Sequence, residues 1–415
     1  MRILHTADWH LGAAFHGQRR EADEEHLLQQ LVDLCELEEI DAVIVAGDVF
    51  DTANPGAAEQ ERYYRALVEL GRRGGVGSVV VIAGNHDSGG RMDSPRQVLA
   101  ACDVHVRGRL ERDADPAGCL VELKDRSGRP AAICAAVPYL READLVLPRV
   151  DESLAARQAA AMAARFAEVM EDGRSLAAER KLPLVAASHC FAGSGLVGGG
   201  ERPVTAQAVV GNLGELDVSP LAEGAAYVAL GHLHRPQAVG GDEHVRYAGS
   251  LLPVSFDETG RDREVVIATI DGDGPATVET RPLHQGRRYA RLRGSPEELA
   301  AAIEELPERH EQEEPPFLEA TVVLDAPRPG LAQELAELAG RRDWVLLAVP
   351  RETPATPDAD GAEAIDEDFD LGGLDPVDVF ERLYRERFGG NEPSEALKEA
   401  FHLLLAQVGT GEDER

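Results

Sequence analysis

The chain has 415 residues, 43% of them hydrophobic and 28% charged, which at about 150 residues per domain suggests two or three units with a substantial core. A net charge of −33 opposes unaided association with a polyanion, so a nucleic-acid substrate calls for bound divalent cations or a basic partner. No run of 18 apolar residues and no apolar leader is present, which argues against a membrane span; five cysteines without a C-x-x-C pair argue against a disulfide framework or zinc knuckle and for a reducing cytoplasm.

In chain order, Arg2–Thr6 is predicted as a strand, Glu24–Leu37 as a helix with Leu27, Leu28, Leu31, Leu34 and Cys35 at helical spacing, and Asp41–Ala46 as a buried strand. A second helix follows over Ala57–Arg73 and a third strand over Ser78–Ala83. Strands separated by helices of this length imply βαβ units and a mostly parallel sheet. The middle of the chain carries predicted strands at Ala131–Pro138, Leu184–His189, Tyr227–Leu230, Val245–Tyr247 and Glu264–Ile270, with an Ala-rich helix over Glu152–Met170. Ala192–Gly200 is glycine-rich and reads as a loop.

Beyond Ile270 the pattern becomes strand, helix, strand, helix, strand over Arg288–Arg293, Pro296–Leu306, Leu318–Leu324, Leu331–Leu338 and Val345–Val349, a small α/β unit of its own. Glu352–Asp370 holds eight acids and no Lys or Arg, the composition of a solvated linker. Asp375-Pro376 then opens a helix that runs to Phe388 and stops at Gly389-Gly390. Ser394 caps a second helix carrying Leu397, Phe401, Leu404, Leu405 and Val408, which makes a helix–loop–helix.

The residues with chemistry stand at the carboxyl ends of predicted strands, where ligand sites of open α/β sheets form. Asp8 and His10 follow the first strand, Asp48 the second, and Asn85, His86 and Asp87 the third; His189 ends a later strand, and His232 and His234 follow another. Taken singly, each is as readily a turn residue or a core histidine. Taken in order, two carboxylates, one amide oxygen and four imidazoles make a mixed O/N donor set. The lack of thiolate weighs against structural zinc, and O/N donors suit manganese, iron or zinc. Seven donors are too many for one ion and natural for two sharing a carboxylate, the arrangement used for phosphate ester displacement.

As an ordered set, D8-x-H10, G47-D48, G84-N85-H86-D87, H189 and G231-H232-x-H234 resembles the calcineurin-like metallophosphoesterase superfamily. The longer phrases HTADWHLG (5–12), GDVFDTANP (47–55), YVALGHLHRPQ (227–237) and YAGSLLPVSFDE (247–258) resemble the SbcD family, nuclease subunits of bacterial DNA-processing complexes. The resemblance implies an α/β fold: an αββα sandwich forming a nuclease domain over 1–282, a capping domain over 285–350, an acidic linker over 351–374 and a helix–loop–helix over 375–408 that docks an ATPase partner. It implies two divalent ions, Mn2+ foremost, one held by Asp8, His10, Asp48 and His234, the other by Asp48, Asn85, His189 and His232. His86 is then the catalytic histidine, with a supporting hydrogen bond as its plainer role. The implied activity is double-strand exonuclease and single-strand endonuclease cleavage of DNA in repair, recombination and replication. The implied partner is an SbcC-like coiled-coil ATPase, and the implied assembly a homodimer within a heterotetramer.

The loop after His189, GSGLVGGGERP, departs from the more serine- and acid-rich stretch expected there. Trp9 is open to base stacking or a core role. Asp51 and Asp87 are open to orienting histidines or to turn chemistry. Arg19, Arg20, Arg91 and Arg235 lie near the motifs, solvated or on phosphates. The rival readings are a stand-alone phosphatase or cyclic-nucleotide phosphodiesterase, which needs neither the capping unit nor the terminal helices, and a non-catalytic adaptor, which needs no complete ligand set.

Overall fold

A computed structural model describes residues 1–111, 113–148, 154–192, 217–272, 274–310, 314–324 and 328–352, and the single residues 380, 384, 385, 393, 398 and 401. The chain divides into two units, Met1–Pro354 and Ala355–Arg415.

Within the first unit, β1 (Arg2–Thr6), β2 (Ala42–Ala46), β3 (Ser78–Ile82) and β4 (Val104–Arg107) pair in parallel. The helices between them, α1 (Glu21–Leu37) and α2 (Ala57–Arg72), cover one face of this sheet. A second sheet follows, built from β5 (Leu120–Lys124), β6 (Pro130–Val137), β7 (Leu184–His189), β8 (Tyr227–Gly231), β9 (Gln237–Val239) and β10 (Asp242–Tyr247) in the order β5-β6-β7-β8-β10-β9. The chain then returns to the first sheet as β11 (Arg263–Thr269) and β12 (Thr277–Leu283), giving the order β12-β11-β1-β2-β3-β4.

The continuous apolar runs in β2 and β3 follow from burial of both faces. Val43, Val45, Val79 and Val81 face the helices, whereas Ile44, Val80 and Ile82 face Val121, Cys134, Val185 and Tyr227 of the second sheet. The outer face of that sheet is covered by the helix Leu154–Arg180 through Phe166, Val169 and Met170. The layers are therefore helix, sheet, sheet, helix, the αββα sandwich expected from the sequence.

The long helix runs ten residues past the predicted end at Met170. Gly173 lies within it, close against the sheet: a Cβ there would stand 3.1 Å from Leu184 Cδ1. Helix α1 likewise begins at Glu21 rather than Glu24. Strands β4, β5, β9 and β12 lay outside the sequence expectation; all four edge the sheets, where apolar and polar residues alternate over few positions.

After the sandwich, β13 (Tyr289–Gly294), β14 (Phe317–Val323), β15 (Val345–Ala348) and β16 (Arg351–Glu352) form a parallel sheet. The helices Pro296–Glu304 and Leu331–Gly340 pack on it through Leu299, Ile303, Leu335 and Ala339. Ser295 and Glu298 close the first of these helices with a reciprocal capping box. This module meets the sandwich in an aromatic joint of Phe15, Phe256 and Phe317. Arg351 and Glu352, expected to open the acidic linker, instead pair with Val322 and Val323 of β14 as β16. The rest of the acidic stretch and most of the predicted helix–loop–helix lie outside the described residues; within the second unit, the rings of Phe380 and Phe401 stack with centroids 4.2 Å apart.

Candidate active site

Five strands of the two sheets deliver the polar groups. The loop after β1 carries Asp8 and His10, the loop after β2 carries Asp48, and the loop after β3 carries Asn85, His86 and Asp87. His189 is the last residue of β7, and His232 and His234 follow β8. Parallel pairing continues past the strand ends: Asp8 N donates to Gly47 O, His10 N to Asp48 O and Leu11 N to Val49 O, at 2.9–3.0 Å. The loops are thus locked before their side chains engage. Asp8, His10, Asp48 and His232 have φ of 51°, 44°, 47° and 109°, a costly region for non-glycine residues that is typical of functional sites. Gly84 is required by space: a Cβ there would lie 2.1 Å from Asp48 Oδ1.

All the predicted donors converge. Donor atoms of Asp8, His10 and His234, of His10, Asp48 and His86, and of Asp8, Asp48 and His189 each lie within 4.8 Å of one another. Asn85 Oδ1 stands 3.0 Å from His189 Nε2 and 3.1 Å from His232 Nδ1. Asp48 Oδ1 accepts from His86 N at 2.8 Å, while its Oδ2 faces His189 Nε2 at 3.4 Å and His10 Nε2 at 3.8 Å.

Charge and burial set the protonation of these groups. Burial raises the Asp8 carboxyl above its ordinary range, against the pull of His189 and His234. Burial acts in the same sense on Asp48, yet His189 and His10 beside it hold its carboxyl well below the usual range. For His189, burial disfavours the charge and Asp48 favours it, with a net rise to about 9. Burial and the nearby His189 push His232 down to about 3, which keeps a neutral imidazole lone pair available.

The donor set suits divalent cations. His189 Nδ1 donates to Ala46 O at 2.9 Å, which turns Nε2 toward the oxygens of Asn85 and Asp48. His234 Nδ1 is held by Glu258 Oε1 at 2.9 Å, which turns its Nε2 toward His10 Nε2 at 3.1 Å. Electron-rich atoms so directed at one another are the arrangement that cations between them satisfy, and the anchored far nitrogens fix the tautomers. His86 sits at the rim: its ring is exposed and its Nδ1 bonds Asp51 O at 2.8 Å, leaving Nε2 for a substrate.

Calcineurin-like phosphoesterase is the family that matches residues 1–125, and the Type 5 capsule protein repressor C-terminal domain matches residues 285–388. The SbcD subunit of nuclease SbcCD from Rhodobacter capsulatus is 36% identical over 360 residues, covering 81% of this chain and 87% of that one. Its counterparts from Escherichia coli strain K12 and Bacillus subtilis strain 168 are each 33% identical, over 78% and 69% of this chain and 78% and 71% of theirs. The chain belongs to the SbcD family of SbcCD nuclease subunits. It is a nuclease subunit of the SbcCD type, a two-metal phosphodiesterase by class, with a site for two divalent ions. No helix among its described residues is long and apolar enough to cross a membrane.

Two groups in this SbcD-family site, Glu258 and Arg263, were not singled out by sequence. Glu258, which orients His234, ends the YAGSLLPVSFDE phrase, but nothing in its spacing marks it. Arg263 is only 2% exposed and braces Glu258 and the carbonyl of His234. Asp87 orients no histidine: it accepts from Val49 N, Phe50 N and Gly84 N at 2.8–3.1 Å, tying the second and third loops together. Trp9 is a core indole, its Nε1 donating to Thr6 Oγ1 at 3.0 Å. Arg20, expected on the surface or on phosphate, is instead buried, with its guanidinium over the Phe15 ring and on Pro253 O. Arg91 is exposed and bonds Asn54. The glycine-rich loop from residue 193 lies outside the described residues.

Proposed function

We propose that this SbcD-family chain cleaves DNA phosphodiesters with two Mn2+ ions, as a double-strand exonuclease and single-strand endonuclease working with an SbcC-like coiled-coil ATPase. The observation that supports it most is the sharing of Asp48, which belongs both to the cluster with His10 and His86 and to that with Asp8 and His189. Asp8, His10, Asp48 and His234 would hold one ion, and Asp48, Asn85, His189 and His232 the other, with Asp48 common to both sets. Mixed oxygen and imidazole donors without thiolate agree with manganese.

Two divalent ions supply Lewis-acid polarisation of the phosphate and acidify an attacking water. The chain's own residues do the rest. Asp48 is immobilised by His86 N, so the shared carboxylate keeps its orientation. His86, tethered through Nδ1 to Asp51 O, presents Nε2 to the entering phosphate, where it steadies that group or protonates the leaving oxygen. Asp87 holds the second and third loops in register. A chain of net charge −33 acquires much of its DNA affinity from a partner, which agrees with an ATPase that loads duplex ends in repair and recombination. A cytoplasmic homodimer within a heterotetramer is the assembly the resemblance implies, and five free thiols agree with that compartment.

Calorimetric titration with Mn2+ alongside cleavage of single-stranded DNA and of a small chromogenic phosphodiester tests the reading. The wild type takes two ions and cuts the DNA. Asp48→Ala loses both positions, because two cations then face each other unscreened, whereas His10→Ala chiefly weakens one. Equal single-site losses in the two variants, or turnover of the small ester alone, would overturn it.

A further inference from the structure

The turn Phe256–Glu258 sends three consecutive side chains in three directions. Phe256 enters the aromatic joint, its centroid 4.8 Å from that of Phe15, which in turn stacks on Phe317 of β14 at 5.8 Å. Asp257 Oδ1 pairs with Arg291 Nη1 of β13 at 2.8 Å, and Arg291 Nε continues to Glu319 Oε2 of β14 at 2.7 Å. Glu258 Oε1 holds His234 Nδ1 at 2.9 Å. The turn is stiff: Glu258 N donates to Ser255 O, and both the backbone N and the hydroxyl of Thr259 donate to Phe256 O. Beneath it, Arg263 grips the carbonyl and carboxylate of Glu258 and the carbonyl of His234.

We propose that this turn couples the seating of the 289–352 module to the His234 metal position, with Glu258 as the positioning residue. The inference rests on the metal assignment above and goes beyond it. The Asp257–Arg291 pair is half-exposed and contributes little by itself. The buried Phe15–Phe256–Phe317 contact is the firm link, since interdigitated rings do not deform gradually. A shift of the module therefore moves Phe256, and the short rigid turn moves Glu258 with it. His234 Nε2 then swings relative to His10 while Asn85, His189 and His232 keep their places. The module thus acts on one ion of the pair. Partner-induced movement of the module gains a route to the chemistry without touching DNA.

The test is a double-variant cycle on the full chain, read by Mn2+ calorimetry and by the exchange-coupled dimanganese electron paramagnetic resonance signal, with His234→Ala marking the position concerned. Glu258→Gln keeps the size and one acceptor, and should weaken that position about 10- to 100-fold, as loss of an outer partner of a ligating histidine does, with the other position unchanged. Phe317→Ala should weaken the same position several-fold in the wild type and not at all in the Glu258→Gln background, because both act along one path. Should Phe317→Ala fail to fold, Phe317→Leu takes its place in the cycle. Wild-type affinities in Glu258→Gln, or an equal effect of the Phe317 variant in both backgrounds, would sink the coupling. A wild-type protein that takes fewer than two Mn2+ would instead sink the metal assignment on which it rests.

Discussion

His86 is fixed twice, by its backbone N–H on Asp48 Oδ1 and by its ring on Asp51 O, and its exposed edge faces the mouth of the site. It also lies within donor reach of His10 and Asp48, so the proposed role beside the phosphate and a role as ligand give different outcomes. His86→Asn should retain both Mn2+ ions while single-turnover cleavage falls by about 10²–10⁴. Metal analysis of that variant decides between the two, since loss of bound metal would make His86 a ligand. At this scale the donors were legible because a cluster of turn and polar residues such as Gly84-Asn85-His86-Asp87, directly after the run Val79–Ala83, has little packing purpose. Glu258 and Arg263 were not, because their meaning lies in partners that folding brings together: Glu258 meets the His234 ring across 24 positions, and Arg263 meets the His234 carbonyl across 29.

The elements of the sandwich are joined to the module by a buried ion pair at the start of α1. Arg287 Nε donates to Asp23 Oδ2 at 2.8 Å, its guanidinium lies 4.1 Å from the Phe317 ring centroid, and it bonds Pro315 O. Asp23 is 1% exposed, and burial raises its carboxyl pKa against the pull of Arg287. Arg287→Ala should cost about 3–5 kcal/mol at neutral pH, the penalty for stranding a buried charge. A carboxyl whose folded pKa lies above its unfolded value is a liability when ionised, so the deficit is present above the folded pKa. It should shrink as pH falls through that value, and denaturant melts of variant and wild type at pH 7 and near pH 4 would measure it. A deficit independent of pH would assign the loss to packing instead. Among elements, β2 and β3 were legible as apolar runs buried on both faces. Strands β4 and β12 were not, because edge strands alternate with polar residues, and β12 carries Pro282 where an interior strand has none.

On the scale of the whole molecule, every candidate ligand falls between Asp8 and His234, and the chain from Ala355 forms a unit of its own. Val377, Phe380 and Tyr384, then Leu397, Phe401, Leu404 and Val408, repeat at helical spacing. The two helices this spacing predicts are too short to bury both stripes against each other, which is why we propose that they offer a surface to a third helix or a coiled coil. Deletion from Leu371 onward should leave Mn2+ binding and single-strand cleavage intact while abolishing co-purification with the ATPase and ATP-dependent processing of duplex ends. Unfolding of the truncated chain, or full partner affinity, would refute the docking role. Within the first unit, the candidate ligands come from both layers: Asp8, His10, Asp48 and Asn85 from one sheet, and His189, His232 and His234 from the other. The centre therefore lies on the seam of the sandwich, and any slip of one sheet over the other registers at once as a change in ligand spacing. Loops far from the seam are free to diversify in length and sequence, whereas the tight, small-residue interior between the sheets is held to a tolerance set by an ion's radius.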